Sequence, residues 1–533
     1  MTLKHSIERA KRNMVQGRDV PWLLGQWVQK TPDKPFLIWE PFDGEPCVLS
    51  YAQFSQRVKA LAANLHERGV AFGERVLVHL DNSPEFIISW FACAELGAVA
   101  VSTNTRSVAR DMSYFAEHAE VVAAITQPGH AQLVADCTRD LKCLVVTCHD
   151  AGTPSKVSES IDYLPFDELI CGTQQPPARP TDHMADLGIQ FTSGTTSRPK
   201  AVLWTHANAI WGAQQNANHL RLVHEDITLT FLPLFHTNAQ SYSMLGMLWV
   251  GGTLVLQPRF SASRFWEVSI RHACTFCSMI PFCIKALASH PPPTEHFYQR
   301  WLTAVHLPEA DAGFGVRTFG LWGMTETITQ GIVADPDHPG SRMSIGRPSP
   351  GYEISIRHAH GDKRGCEVAA GERGRLYIRG VPGVTLFKEY YRNPEATRDS
   401  FDEEGWFDTG DVVRVGEEGD LFFSDRDKDM LKVGAENVAA SEIEAVLLET
   451  GWIDECAVVG QKHPMLDEVP VAFVIPNANA PDNLKRRLIE VCGTNLADFK
   501  VIRDVHIIDE MPRSTLEKVA KNVLRARLPE FQE

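Results

Sequence analysis

The chain has 533 residues, of which 44% are hydrophobic and 22% charged, and its formal net charge is -15. That length exceeds one ordinary domain and the composition is that of a soluble globular protein, so at least two domains are expected. The acidic balance argues against free nucleic acid or an anionic membrane surface as the main partner, while leaving room for a local cationic site.

Twelve cysteines are scattered without a disulfide framework. Cys274 and Cys277 form one C-x-x-C, with no second pair at zinc-ribbon spacing, which predicts core thiols in a reducing, cytoplasmic protein. The first 16 residues are charged and carry no apolar signal-peptide core. The longest apolar stretch, Phe86 to Val101, is interrupted by Glu95 and Gly97 and is too short to span a bilayer, so no integral membrane segment is expected.

In chain order, Trp22, Leu23, Trp27 and Val28 pattern as an amphipathic helix that ends before Pro32. Ser50 is placed to cap a helix through Phe54, Val58, Leu61 and Leu65. Residues 75–80 read as a strand and 81–84 as a turn opening a helix to about Leu96. A strand over 97–104, a helix to about His118, and strands at 121–125 and 144–147 follow. Residues 149–184, rich in Pro, Thr, Ser and Asp, read as a connection. Beyond residue 200 come a helix near 206–220, a strand at 229–232, a helix after Ser241, and strands at 252–256 and 275–279. This alternation predicts an α/β domain with mostly parallel sheets. Short strands with Gly turns from Tyr352 to about Val413 predict a β-rich subdomain, and the last hundred residues a small α+β domain. There, Ser441 and Glu444 pattern as a capping box for a helix carrying Ile443, Val446 and Leu447.

One stretch concentrates chemistry: Phe191-Thr192-Ser193-Gly194-Thr195-Thr196-Ser197-Arg198-Pro199-Lys200. Gly194 lets the backbone turn so that successive N–H groups converge, the hydroxyls donate to oxygens, and Lys200 and Arg198 offset negative charge. This is a phosphate cradle, and the G-x-x-x-x-G-K-[ST] spacing of a Walker A loop is absent. The bland alternative, a polar surface loop, does not ordinarily collect so many phosphate donors in ten positions.

The stretch resembles the ATP-binding loop of the adenylate-forming superfamily, which includes acyl-CoA synthetases, luciferases and peptide-synthetase adenylation domains. Five further segments resemble the family in order. Phe231 to Asn238 resembles the segment that lines the acyl site, with His236 reaching the reacting phosphate; Asn238, Ser241 and Gly323 would also face the acyl group. In Leu321 to Thr327, the resemblance gives Glu326 the magnesium ion, Thr325 the α-phosphate and Trp322, which replaces the usual Tyr, the adenine stack. In Gly405 to Asp411, Asp411 would hold the ribose hydroxyls, and Arg426 would join it there, with Lys428 as hinge. Residues 432–437 would line a pantetheine path for coenzyme A, through Lys432, Gly434, Ala435 and Glu436. Lys518, in Met511 to Val519, resembles the adenylation lysine.

The resemblance implies an AMP-binding domain over residues 1–426 and a mobile C-terminal domain over 427–533. It implies an AMP-forming acid:CoA ligase that uses Mg²⁺, ATP and coenzyme A on a small carboxylic acid, as a monomer or homodimer. Among relatives, crotonobetaine/carnitine:CoA ligases and similar small-acid ligases look most alike. Two rivals stand beside this reading: an enzyme passing its acyl group to a carrier protein or amine, and a nucleotide-binding protein with no catalysis. Ala201 after Lys200, Ala435 in the pantetheine path, Leu516 and Glu517 before Lys518, and a short 305–317 segment depart from the family pattern.

Overall fold

The computed structural model describes residues 15–192, 199–358, 365–426, 430–433, 436–463, 466–496, 500–513 and 519–531, and leaves the side chains at positions 281, 425, 426, 430, 432, 436, 437, 439, 467, 530 and 531 undescribed. Two compact units form: residues 1–353 with 379–406, and residues 354–378 with 407–533.

The first unit is built on two large sheets. One runs, in spatial order, Glu389–Tyr390, Lys200–Thr205, Asp186–Thr192, Val99–Ser102, Arg75–His79, Val121–Thr126, Cys143–Val146 and Leu164–Pro165. It is parallel from Asp186–Thr192 onward, and the first two strands add an antiparallel margin. The other sheet has seven strands and is parallel except where Cys47–Ser50 pairs with Pro35–Trp39. Every residue of Val99–Ser102 is buried, as expected for a strand covered on both faces.

Local chemistry sets the helices. Helix Tyr51–Glu67 begins with a reciprocal capping box, in which Gln53 N–H donates to Ser50 Oγ at 3.3 Å and Ser50 N–H donates to Gln53 Oε1 at 2.9 Å. Helix Pro84–Leu96 is capped by Ser83, with Pro84 in its first turn, and stops at Gly97 in the left-handed region (φ 80°). A side chain at Gly97 would meet the Phe72 ring at 2.4 Å. The apolar stretch from Phe86 is therefore a buried helix followed by a strand, as its interruptions predict. Cys274 and Cys277 are buried free thiols.

Two readings change. The helix placed after Ser241 starts earlier, as a π-helix over Asn238–Leu245 that continues into helix Gly246–Val250. The 149–184 connection contains a two-residue hairpin, the strand Leu164–Pro165 and the helix Phe166–Leu169.

The second unit holds a four-stranded sheet (Glu353–Arg357, Arg373–Arg379, Phe407–Val415, Leu421–Arg426) and a five-stranded one centred on Asp467–Pro476. Helix Ala440–Leu448 buries Ile443 and Leu447, but the capping box does not form. The strand Glu436–Ala439 runs straight into the helix, so Ser441 lies inside the first turn and donates to Ser424 O. Glu444 is taken by Val458 N–H at 2.7 Å and Lys521 Nζ at 2.9 Å.

Candidate active site

Thr192 and Lys200 are opposite each other in the antiparallel pair that flanks the hydroxyl-rich loop. Ser193, Gly194, Thr195 and Thr196 lie outside the described residues. Lys200 Nζ sits 4.5 Å from the ring centroid of Tyr390, a cation–π contact. Tyr390 arrives there because its two-residue strand pairs with Lys200–Thr205, with Val202 opposite Tyr390.

The hydroxyl of Tyr390 donates to Glu326 Oε1 at 2.9 Å. Both side chains are buried, and Phe387 N–H donates to the carbonyl of Glu326 at 2.8 Å. Glu326 is thus held at its backbone and its side chain by one segment, and Lys200 stacks on the same tyrosine. Thr325 is half-exposed; its carbonyl accepts from Trp204 Nε1 at 2.9 Å and its hydroxyl lies 3.2 Å from Thr237 Oγ1. The tertiary fold therefore brings Lys200, Thr325 and Glu326 to one end of the eight-stranded sheet. A carboxylate beside a hydroxyl and a lysine suits a polyphosphate with a hard cation.

Glu326 is followed by a strained turn. Ile328 has φ 64° and ψ -46°, and Thr329 N–H donates to Thr327 O at 2.6 Å, a positive-φ γ-turn. A β-branched residue rarely adopts this region. Its side chain is wedged against helix His206–His219, where a Cβ on Gly212 would come within 2.9 Å of Ile328 Cγ2.

The residues expected around an acyl group divide. His236 is half-buried, its ring 4.6 Å from that of Phe235. Asn238 Oδ1 accepts from Ser278 Oγ at 2.8 Å. Ser241 is fully buried, and its carbonyl and hydroxyl both accept from Asn216 Nδ2, at 2.8 and 3.0 Å. At Gly323 an added Cβ would lie 2.5 Å from Tyr242 Oη and 2.9 Å from Thr329 O, so the space beside this glycine is filled by the protein itself. Trp322 is buried in the short strand Leu321–Trp322.

In the second unit, Asp411 and Arg426 face each other in the ladder between Phe407–Val415 and Leu421–Arg426. The two residues expected at the ribose are therefore cross-strand neighbours. Lys432 and Glu436 belong to a hairpin in which Lys432 pairs with Asn437 and Val433 with Glu436. Lys428, Gly434, Ala435 and Lys518 lie outside the described residues. In the short segment after Val305, helix Pro308–Phe314 leads directly to the strand Arg317–Phe319. Among the described residues no three His, Cys, Asp or Glu side chains cluster in a way that could hold a metal. No described helix is long and apolar enough to cross a membrane.

Sequence reasoning did not single out Tyr390, Trp204, Thr237, Gln190 or Gln240. Thr237 adjoins His236 in a segment already of interest, and Gln190 lies in the strand before the loop, two residues from its end. Tyr390 carries no local signal, since its role arises from pairing with a strand nearly 190 residues earlier.

This architecture and site define an adenylate-forming enzyme. The AMP-binding enzyme family matches residues 24–391, and the AMP-binding enzyme C-terminal domain matches residues 442–518. The chain belongs to the AMP-binding enzyme family. A crotonobetaine/carnitine–CoA ligase of Salmonella paratyphi C is 34% identical over 517 residues, which cover 92% of this chain and 96% of the relative. The Salmonella typhi enzyme of that name is 34% identical over 537 residues, covering 96% and 100%. An anthranilate CoA ligase in complex with anthranoyl-AMP superimposes with a TM-score of 0.84 at 25% identity, covering 96% of this chain and 98% of that one. The O-succinylbenzoate CoA synthetase of Bacillus subtilis, solved with ATP and magnesium, gives 0.80 at 25%, covering 94% and 99%. The protein is an AMP-forming acid:CoA ligase.

Proposed function

We propose that this chain converts a small carboxylic acid to its CoA thioester in two steps, as a monomer or homodimer. A carboxylate oxygen of the acid attacks the α-phosphorus of ATP, the bond to the β-phosphate breaks, and pyrophosphate leaves behind an acyl-adenylate. The thiolate of coenzyme A then attacks the acyl carbon, and AMP departs with the bonding pair. The observation that carries this reading is the Lys200–Tyr390–Glu326 assembly beside Thr325, with Lys200 the last residue of the hydroxyl-rich stretch in sequence.

Each residue is assigned a task by its chemistry. Thr192, Ser193, Gly194, Thr195, Thr196 and Lys200 cradle the triphosphate, and Thr325 donates to the α-phosphate. Glu326, as a hard carboxylate ligand, would hold a Mg²⁺ ion, which would supply neutralisation of phosphate charge. Asp411 and Arg426 take the ribose, in keeping with their cross-strand pairing, and Trp322 takes the adenine. Lys518 stabilises the charge that builds during adenylation. Rotation at Lys428, where the 1–426 and 427–533 portions meet, withdraws Lys518 and admits pantetheine past Lys432, Gly434, Ala435 and Glu436. One cleft cannot hold both the lysine and a thiol at the same carbonyl, which is the physical need for the hinge. His236 and Asn238 face the acyl group.

The test is pyrophosphate release from ATP over a panel of short carboxylic acids, with and without CoA. We expect release to require one class of acid and thioester to form only with CoA. Lys518→Ala should abolish acyl-adenylate formation yet still convert supplied acyl-adenylate to thioester. Acid-dependent pyrophosphate release with no thioester would redirect the acyl group to a carrier protein or an amine. No acid-dependent release would overturn the reading.

A further inference from the structure

A chain of hydrogen bonds runs from the middle of the eight-stranded sheet to Thr325. Gln240 Nε2 donates to Ser102 Oγ at 3.1 Å, Gln190 Nε2 donates to Gln240 Oε1 at 2.9 Å, and Thr237 Oγ1 donates to Gln190 Oε1 at 2.9 Å. Thr237 Oγ1 then lies 3.2 Å from Thr325 Oγ1. Ser102, Gln190, Thr237 and Gln240 are all at most 6% exposed, whereas Thr325 is half-exposed. The chain thus begins in the dry interior and ends at a partly exposed hydroxyl.

Donor arithmetic makes this chain directional. A hydroxyl has one hydrogen, and a carboxamide has a donating nitrogen on one side and an accepting oxygen on the other. Thr237 Oγ1 is placed to donate either to Gln190 Oε1 at 2.9 Å or to Thr325 Oγ1 at 3.2 Å, and its one hydrogen serves one of them at a time; when it goes to Gln190, the contact between the two threonines is kept only if Thr325 donates. In that polarity the proton of Thr325 points into the protein, and the hydroxyl shows lone pairs outward. A phosphate oxygen arriving there meets an acceptor.

Turning both amides end for end exchanges oxygen and nitrogen at the same two positions of each side chain and reverses every bond. Ser102 donates to Gln240, Gln240 to Gln190, Gln190 to Thr237, and Thr237 to Thr325. The hydrogen of Thr325 is then free to point outward. Each polarity satisfies the interior, so burial does not favour one over the other.

We propose that Gln190 and Gln240 form a two-state positioning relay, and that phosphate binding selects the polarity in which Thr325 donates outward. The proposal rests on the assignment of Thr325 to the α-phosphate. Gln190 and Gln240 are buried and act only through Thr237 and Thr325.

The variants that test it are nearly isosteric. An ionised carboxylate only accepts. In Gln190→Glu, both Thr237 and Gln240 must donate to position 190, which leaves Thr237 no hydrogen for Thr325, so the threonine contact persists only with Thr325 donating inward. In Gln240→Glu, Gln190 must donate to position 240 and accept from Thr237, with the same result at Thr325. Thr237→Val removes the inward acceptor altogether and frees the Thr325 hydrogen whichever way the amides point.

AMP keeps the α-phosphate and needs no acid, so the readout is AMP affinity by titration calorimetry on the full chain, with adenosine as the phosphate-free control. Gln190→Glu should weaken AMP by about tenfold or more, the value of a hydrogen bond to a charged group, and leave adenosine within about twofold. Adding Thr237→Val should return AMP affinity to within about threefold of Thr237→Val alone. Gln240→Glu should behave likewise, and it carries the test if Gln190→Glu does not fold. A merely structural role predicts the opposite pattern, with the double variants no better than the single ones, and that result overturns the relay. Thr325→Val reports on the underlying assignment. If it binds AMP as the wild type does, the Thr325 contact is wrong and the relay falls with it; if it weakens AMP while both Glu variants do not, the relay alone is wrong.

Discussion

Tyr390→Phe removes one hydroxyl from the assembly around Glu326 and leaves the ring on which Lys200 stacks. The hydroxyl donates at 2.9 Å to a carboxylate that is 4% exposed, from a side chain that is 3% exposed. Hydrogen bonds to charged groups are worth about 1.5–3 kcal/mol, and losing one beside a buried carboxylate is not offset by bulk water. In rate terms this is about a ten- to hundredfold loss. The cation–π contact, worth about 0.5–1 kcal/mol, persists because phenylalanine presents the same face. The assay is ATP–pyrophosphate exchange with an acid found active in the panel, run on wild type, Tyr390→Phe, Glu326→Gln and the double variant. If the tyrosine acts by holding Glu326, the double variant loses little beyond Glu326→Gln alone, and the coupling approaches the full 1.5–3 kcal/mol. Additivity within about 0.5 kcal/mol would refute the reasoning, because independent sites behave that way. Wild-type exchange by Tyr390→Phe would refute it as well.

Three further outcomes are expected. Gly323→Ala should destabilise the first unit by about 1–3 kcal/mol and depress activity, because its Cβ would sit 2.5 Å from Tyr242 Oη and 2.9 Å from a backbone carbonyl; denaturant titration checks the first part. At Ile328, glycine should be more stable than alanine by about 1 kcal/mol, the reverse of the usual order, because φ is 64°; paired melts of Ile328→Gly and Ile328→Ala decide it. His79 and His206 are buried in the neutral form, and desolvation lowers each from 6.5 to about 3. The unfolded chain therefore binds protons that the folded chain does not, so stability is lost as pH falls below 6.5 and the loss levels off near 3. At pH 5 each histidine contributes a loss of about 2 kcal/mol, being 1.5 pH units below 6.5 at about 1.36 kcal/mol each. His206→Gln should flatten the slope of stability against pH between 7 and 5, and an unchanged slope would count against the assignment.

Much of this protein is legible in its sequence. Ser50 and Ser83 cap the helices they precede, and the apolar run from Phe86 breaks into helix and strand at Gly97. Such features rest on interactions within a few residues, so a short window of sequence contains both partners. The order and chemistry of the motifs around Lys200, His236 and Glu326 likewise pointed to the adenylate-forming fold. The capping box at Ser441 shows where this logic stops: the pattern was present, but Glu444 had stronger partners in Val458 and Lys521. Tyr390 on Glu326, 64 positions away, and Gln190 on Gln240, 50 away, were invisible for a related reason. Their pairing depends on which strands lie side by side and in what register, and on where a π-helix turns its faces. The amino-acid order alone determined the elements, their periodicity and the kinds of group brought to the site. Only the tertiary structure decided which groups touch, because side chains meet across sheets and crossovers through packing that no local stretch encodes.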